Sequence, residues 1–179
     1  MEHRLKIPLT GEDVEKLRAG DVVLLSGTVY TARDKAHAVL RDREAPVDLE
    51  GAAVYHCGPL IRDREVISAG PTTSGRLTRY TGEMVDRGVR AIIGKGGLPG
   101  AADVLRGRAV YLAYPGGCGA SAARKLLVRA VHFQDLGMAE SIWEMEAADL
   151  GPMIVAIDSH GRDLYQEVGQ SVQERLKRR

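Results

Sequence analysis

Residues 70–76, GPTTSGR, place three consecutive hydroxyl groups between glycines and follow them with an arginine. Such hydroxyl groups can donate several hydrogen bonds to a planar anion, and Gly75 permits close approach of the backbone. The guanidinium group of Arg76 has the fork of N–H donors that matches a carboxylate. An ordinary turn, in which Thr73 or Ser74 caps the next helix, explains the same residues. These residues alone therefore leave an anion site and a capped turn equally open.

A second segment, residues 26–37 (SGTVYTARDKAH), places hydroxyl groups ahead of Arg33 at the start of a predicted helix. Arg33 could bind a carboxylate there, helped by the free N–H groups of the first helical turn. His37 follows one turn later, so its side chain could face the same site. The alternatives are a surface ion pair between Arg33 and Asp34, and a histidine that is packed or lies on the helix surface. Spacing alone does not decide between these interpretations.

Residues 94–97, GKGG, place Lys95 directly after a predicted strand and among flexible residues. Neither GKS nor GKT occurs in this segment, so it does not match the phosphate-binding P-loop. The dinucleotide-binding pattern also fails, because Pro99 stands where the third glycine of that pattern would be. A lone GKGG segment is a weak signal for an anion site, and a plain turn remains the alternative.

The elements that must position these segments alternate between strands and helices along the chain. Apolar, β-branched runs predict strands at residues 22–25, 52–57, 66–69, 89–93, 109–114 and 153–157. Capping residues and helical periodicity predict helices at residues 11–18, 32–43, 76–87, 101–105, 121–130 and 166–177. Residues 142–145 could be strand or helix, and residues 162–165 are interpreted as a return strand. The alternation predicts an α/β fold around a mixed sheet.

Glycine-rich loops follow several of the predicted strands. They lie at residues 26–28, 70–76, 94–97 and 115–119. In open α/β sheets, ligands bind outside the carboxyl ends of the strands. The convergence of these loops therefore predicts an anion site at one edge of the sheet.

Composition is that of a soluble globular protein, with 44% hydrophobic and 27% charged residues. Its 179 residues suffice for one domain, residues 1–179, with a real core. The formal net charge of +1 gives no strong field for nucleic acid or an anionic membrane, so we expect neither as a partner. No apolar run approaches the roughly 20 residues of a membrane helix, and the opening MEHRLK lacks a signal peptide's apolar stretch. We therefore expect a cytoplasmic protein.

The chain has two cysteines, Cys57 and Cys118, which lie far apart and form neither a CxxC pair nor a zinc-binding pattern. We expect both to be reduced and to behave as small hydrophobic side chains. Two thiols cannot by themselves hold a cubane iron–sulfur cluster, because such a cluster takes about three or four thiolates. We therefore expect this chain to bind no metal.

Taken together, five segments resemble one family over nearly the whole chain and in the same order. They are residues 26–37, 55–59 (YHCGP), 70–76, 92–97 (IIGKGG) and 131–158. The family is the C-terminal domain of class I fumarases, or equally the separate β subunit of two-chain fumarases and L-tartrate dehydratases. The GPTTSGR and GKGG segments after TARD and AH are specific in combination, although each alone is not. The resemblance implies a swivelling β/β/α domain and the reversible trans addition of water across the double bond of a dicarboxylate.

The resemblance also implies roles for particular residues. Thr72 stands where the family's proposed catalytic base stands. Lys95 is assigned to the catalytic group with it and is also implied to bind a substrate carboxylate. The residues implied to bind substrate are Arg33, Arg76, Thr73, Gly94 and His37. A threonine hydroxyl is a poor base at neutral pH, so it would need a nearby cation to favour the alkoxide. Arg76 and Lys95 are the candidates for that cation.

In the family that these motifs resemble, the other chain or domain carries a four-iron four-sulfur cluster on three cysteines and supplies the general acid. The open iron of that cluster binds a carboxylate and a hydroxyl of the substrate. We therefore expect a β subunit that hydrates fumarate reversibly to malate, active only with an α subunit that carries the cluster. The alternatives are the β subunit of an L-tartrate dehydratase and a non-catalytic domain that binds an anion or a nucleotide. A cluster-bearing α chain that co-purifies would separate the enzyme from the binding domain.

Overall fold

The computed structural model of the protein describes residues 1–178. The strands are β1 (Glu2–Lys6), β2 (Val22–Thr31), β3 (Ala53–Tyr55), β4 (Leu60–Arg62), β5 (Glu65–Ser68), β6 (Ala91–Gly94), β7 (Val110–Ala113), β8 (Leu126–His132) and β9 (Ile142–Ile157). The α-helices are α1 (Gly11–Glu15), α2 (Asp34–Asp42), α3 (Thr78–Asp86), α4 (Ala102–Leu105), α5 (Gly119–Ala123) and α6 (Leu164–Lys177). Short 3-10 helices cover Ser74–Leu77 and Gln134–Leu136. No helix within residues 1–178 is long and apolar enough to span a bilayer.

The main sheet closes on itself as a five-stranded barrel. Its strand order is β2, β3, β6, β7 and β9, and β9 pairs back onto β2. The pairs β2–β3, β3–β6 and β6–β7 are parallel, whereas β9 runs antiparallel to both of its barrel neighbours. β1 extends the sheet beside the first half of β2, and β8 extends it beside the first half of β9. The predicted α/β class with a mixed sheet is confirmed, and the sheet is closed rather than open.

Alternation along the barrel strands divides their side chains between two cores, because successive side chains point to opposite faces. Alternate positions contribute to one core through Tyr55, Ile93, Leu112 and Val155. The intervening positions contribute to a second core through Val54, Ile92, Tyr111 and Ala156. The helices α2 and α3 add Leu40 and Met84 to this second core. The short strands of the barrel are therefore buried on both faces, and this explains their continuous apolar sequences.

Two of the predicted elements are wrong. Residues 121–130 were expected to be one helix, but α5 ends at Ala123 and β8 begins at Leu126. Pairing of β8 with β9 overrides the helical propensity of that alanine-rich and leucine-rich run. Residues 162–165 were expected to be a strand, but the Asp163 side chain accepts two backbone N–H groups and caps α6 there. Residues 142–145, left open by their sequence, are the first part of β9.

Strand β2 is longer than predicted, and this changes the position of the hydroxyl groups before Arg33. Residues 26–28 lie inside the strand instead of forming a loop at its end. Gly27 has a φ of +106°, and a Cβ atom there would lie 2.8 Å from the carbonyl oxygen of Ile7. The Ser26 hydroxyl group is engaged within the sheet, since its Oγ accepts a hydrogen bond from the backbone N–H of Asp149 in β9 at 3.0 Å. Residues 26–28 therefore belong to the sheet and not to a loop at the end of the strand.

Candidate active site

The carboxyl ends of the parallel strands β2, β3 and β6 bring the sequence motifs to one edge of the barrel. We call the candidate site the set of residues 33–34, 56–58, 70–76 and 94–97 at this edge. The loop of residues 70–74 joins the edge through backbone hydrogen bonds. The N–H of Thr72 donates to the His56 carbonyl at 2.7 Å, and the N–H of Lys95 donates to the Thr72 carbonyl at 3.0 Å.

A further bond fixes the loop on its other side, where the N–H of Ser74 donates to the Lys95 carbonyl at 3.0 Å. Thr73 and Lys95 are thus paired as in a short parallel bridge. The structure therefore brings the backbones of Thr72, Thr73 and Lys95 together, as expected for loops that converge at one edge of the sheet. The Thr73 side chain is exposed, and so is the Lys95 side chain.

Arg76 lies at the centre of a polar network. Its Nε and Nη2 atoms donate to the two carboxylate oxygens of Asp34 at 3.0 and 3.2 Å. The same Nη2 also donates to the hydroxyl oxygen of Thr72 at 2.7 Å. The Arg76 side chain keeps 44% of its surface exposed, so it remains accessible to a further ligand. A single guanidinium group therefore links the carboxylate of α2 with the hydroxyl group of the loop.

Arg33 lies beside this network at the N-terminus of α2. Its Nη2 is 3.6 Å from the carboxylate of Asp34, and its Nε is 3.7 Å from the carboxylate of Glu140. Within residues 1–178 the buried Nε has no hydrogen-bond partner. Glu140 in turn accepts the N–H of Lys35 at 2.9 Å, so this carboxylate also caps the first turn of α2. The two arginines thus lie on either side of Asp34.

Gly58 makes room for Arg33 and was not singled out by its sequence. A Cβ atom at this position would lie 2.8 Å from Cδ of Arg33 and 2.7 Å from the carbonyl oxygen of Ala139. Any larger residue would therefore displace the arginine or the segment that carries Glu140. The Gly-Pro pair by itself predicts only a turn. The packing of Gly58 against Arg33 and Ala139 involves segments that are distant in sequence, so the local pattern does not reveal it.

The charges of the network balance locally. The hydrogen bond from Arg76 lowers the pKa of the Asp34 carboxyl, although partial burial opposes that shift. Asp34 is therefore ionised at neutral pH, and the carboxylates of Asp34 and Glu140 are set against the two arginines. Within residues 1–178 Lys95 makes no ion pair shorter than 4.0 Å, so its positive charge adds to the balanced set. A dicarboxylate would be attracted by this surplus.

Two buried histidines, His37 and His56, lie below the exposed arginines of the candidate site. The ring of His37 is 1% exposed, stacks on Tyr80 with 5.4 Å between centroids, and meets His56 edge to face at 5.3 Å. Within residues 1–178 neither ring nitrogen of His37 has a hydrogen-bond partner. The structure therefore places His37 in the interior and not on the surface that the arginines share.

The loop of residues 70–74 is anchored by a buried side chain and lacks the expected helix cap. Thr73 is the N-cap residue of the 3-10 helix but makes no side-chain cap bond. Ser74 is buried, with its Oγ 2.9 Å from Nδ1 of His56. A Cβ atom at Gly94 would collide with that hydroxyl group. The interpretation of Thr73 or Ser74 as a capping side chain is therefore wrong, and Gly94 serves close packing.

The cysteines of this chain do not fit a four-iron four-sulfur cluster. Burial raises the pKa of the Cys57 thiol to about 12, which disfavours the thiolate that binds iron. Burial also raises the pKa of Cys118, and the chain has no third cysteine. In the part of the chain that the structure describes, no group of three or more acidic, histidine or cysteine side chains could hold a metal ion.

The buried histidines predict a loss of stability in mild acid. Burial lowers the pKa of His37 to about 4 and shifts the pKa of His56 in the same direction, so both rings are neutral in the folded protein. In the unfolded chain the same histidines take up protons below a pKa of about 6.5. Their contribution to the free energy of unfolding is therefore fully present above a pH of about 6.5 and is lost as the pH falls from about 6.5 to 4. Between pH 7 and pH 5, His37 alone should cost roughly 2 kcal/mol of the free energy of unfolding.

Urea unfolding of the wild type and of His37→Leu at pH 7 and pH 5 measures this effect. The variant should lose less stability over this interval, whereas His160→Gln, which changes an exposed histidine, should behave as wild type. Equal losses in the wild type and His37→Leu would contradict the prediction.

Comparison with known proteins gives consistent matches along the chain. The sequence model of the family described as fumarase C-terminus matches residues 2–168. A Methanocaldococcus jannaschii protein, named provisionally as L(+)-tartrate dehydratase subunit beta, is 44% identical over 94% of this chain and 93% of its own length. The L(+)-tartrate dehydratase subunit beta of Escherichia coli K12 is 37% identical over 93% of this chain and 88% of its own. A Geobacillus stearothermophilus protein, named provisionally as fumarate hydratase class I, is 38% identical over 96% of this chain but 35% of its own.

Proposed function

The chain belongs to the fumarase C-terminus family, and from this premise we propose that it is the β subunit of a two-chain hydro-lyase acting on a four-carbon dicarboxylate. The two relatives named as subunit beta align with it over 93% and 88% of their own lengths, which supports a separate subunit. In this proposal residues 1–179 are a single swivelling β/β/α domain. Its swivelling would carry the candidate site toward and away from an α chain.

We place L-tartrate first among the substrates and fumarate second. The relatives named for tartrate match this chain along nearly their whole lengths, whereas the relative named for fumarate hydratase matches over 35% of a longer chain. This reverses the order expected from the sequence motifs. Fumarate remains the second candidate because that relative is still 38% identical. L-tartrate carries one hydroxyl group more than malate, the hydrated form of fumarate, and a site that binds this extra group would strongly reject the compound lacking it.

The observation that carries the proposal is the contact of Arg76 with Thr72 beside a second arginine. Arg33 and Arg76 would bind substrate carboxylates, since their guanidinium groups match that geometry. The Thr72 hydroxyl would take or return the proton at the carbon next to the carboxylate that Arg76 binds. The 2.7 Å bond from Arg76 favours the alkoxide, because a cationic donor stabilises the negative charge. Lys95, whose backbone is paired with Thr73, would add a second cation.

The other proposed residues would act less directly. Thr73 is exposed on the same loop and would contact the substrate from there. Gly94 would allow the loop to lie close to β6, and His37 would support the site from beneath. The general acid and an iron–sulfur cluster would come from the α chain, because the thiols of this chain do not fit that group.

Anaerobic co-expression with a candidate α chain tests the proposal. The purified complex should dehydrate L-tartrate, and fumarate and malate should be assayed beside it. The isolated chain should be folded but inactive toward all three compounds. Turnover by the isolated chain would contradict the need for a partner, and a folded complex that converts none of them would refute the hydro-lyase assignment. Dicarboxylate binding without turnover by such a complex would instead support the non-catalytic alternative.

A further inference from the structure

Asp34 lies between the two arginines and engages both. Its oxygens accept side-on hydrogen bonds from Nε and Nη2 of Arg76 at 3.0 and 3.2 Å, and Oδ2 is 3.6 Å from Nη2 of Arg33. Asp34 is also the first residue of α2, where the unpaired N–H groups of the helix favour a negative charge. The N-terminus of α2 and the hydrogen bonds from Arg76 thus both hold the Asp34 carboxylate in place.

The hydrogen bonds of Arg76 divide its guanidinium group into two parts. The Nε and Nη2 atoms each donate one hydrogen bond to Asp34. The Nη2 atom donates a second hydrogen bond to the hydroxyl oxygen of Thr72. Within residues 1–178 the Nη1 nitrogen donates no hydrogen bond. The plane of the group is therefore fixed by two protein partners, and its Nη1 end is left for a ligand carboxylate.

The charge of Asp34 opposes the binding of a dicarboxylate. A negative group between two arginines offsets part of the attraction that they exert on a dianion. If the arginines served only to attract substrate, a neutral residue at this position would give tighter binding. What the carboxylate supplies is the orientation of Arg76, which keeps Nη2 against the Thr72 hydroxyl. Correct placement of a reacting group is worth large rate factors.

We propose that Asp34 is a positioning residue, which holds Arg76 against Thr72 and lowers the affinity for substrate in doing so. The proposal rests on the function proposed above, because the rate that it concerns is that of the hydro-lyase. It predicts a lower kcat together with an unchanged or higher affinity for substrate when Asp34 loses its charge.

Asp34→Asn in the reconstituted complex tests this prediction. The amide presents an NH2 group where Arg76 needs a second acceptor, so the side-on pair is broken along with the charge. We expect kcat to fall by about 10- to 100-fold. KM should stay constant or fall by up to about fivefold, because a repulsive charge is removed. Asp86→Asn is the matched control, since it breaks a surface pair with Arg108 (2.6 Å) away from the candidate site. A wild-type kcat, or a raised KM with kcat unchanged, would overturn the proposal.

A second measurement does not depend on activity. In ¹⁵N-labelled full-length chain, the Arg76 Nε–H should exchange slowly with water in the wild type and in Asp86→Asn. It should exchange rapidly in Asp34→Asn, because its acceptor is lost. Equal protection in the wild type and Asp34→Asn would overturn the proposal. If the wild-type complex converts no dicarboxylate, the proposed function fails, whereas this comparison still decides whether Asp34 holds Arg76.

Discussion

Replacing Thr72 by alanine should lower kcat of the reconstituted complex by about 10²- to 10⁴-fold, the usual contribution of general acid–base catalysis. Substrate affinity should change little, because the lost interaction is one made in the transition state. The structural reason is the 2.7 Å hydrogen bond from Nη2 of Arg76 to the Thr72 hydroxyl, which favours its deprotonated form. Measurement of kcat, KM and melting temperature under anaerobic conditions separates catalysis from folding.

Two further variants serve as controls for Thr72→Ala. Thr72→Ser keeps the hydroxyl group and should recover most of the rate. Thr78→Ala removes another hydroxyl of the same segment, one that donates to the Gly75 carbonyl at 3.0 Å, and should leave kcat near wild type. Ser74→Ala is unsuitable as a neutral control, because it breaks the buried contact with His56. A Thr72→Ala complex with the wild-type rate would refute the catalytic assignment but not the fold.

Replacing Arg76 by alanine should lower kcat/KM roughly 30- to 1,000-fold, which corresponds to a loss of about 2–4 kcal/mol of transition-state stabilisation. Both constants should change, since Arg76 is proposed to bind a carboxylate and also contacts Thr72. Arg76→Lys keeps the charge but cannot bridge Asp34 and Thr72 in one plane, so it should recover little of the loss. Arg33→Ala should also raise KM and lower kcat/KM.

A surface arginine provides the matched control for Arg76→Ala. Arg108 pairs with Asp86 at 2.6 Å in a position with no part in the candidate site. Arg108→Ala should therefore leave both kinetic constants unchanged. A near-normal kcat/KM in a folded Arg76→Ala complex would show that Arg76 is only a surface residue of this subunit.

The short barrel strands were predictable from sequence because their signal is local. Apart from Arg90, the run at residues 89–93 is apolar and rich in β-branched residues, and it lies between a glycine and a glycine-rich loop. The closure of the barrel was not predictable in this way. It depends on pairing between β2 and β9, which lie more than a hundred residues apart, and no local pattern encodes such a partner. The run at residues 126–132 was misassigned for the same reason, since its partner is β9.

The motifs pointed to residues that the structure does bring together, and the family resemblance drawn from them is confirmed. Arg33, Thr72, Arg76 and the backbone of Lys95 meet at one edge, because parallel strands end there. What the sequence could not show is which charges pair. Asp34 is adjacent to Arg33, but its closest partner is Arg76, which lies 42 positions away.

The burial of His37 could not be predicted from helical spacing either. Helical spacing put His37 on the same side of α2 as Arg33, which is a statement about direction around the helix. It does not say how far the neighbouring α3 covers that side. In the structure Tyr80 stacks on the ring and buries it, so the histidine lies below the site.

The late position of β9 has a consequence for synthesis of the protein. The segments that form the candidate site leave the ribosome well before Ile142–Ile157, the strand that closes the barrel against β2. Until then the nascent chain presents β2 with an unpaired edge, which is a template for aggregation. Pairing across so long a separation is also intrinsically slow. The geometry around Arg33 is therefore completed only after Ile142–Ile157 has been synthesised, and the open edge of β2 is the surface that a chaperone would need to cover.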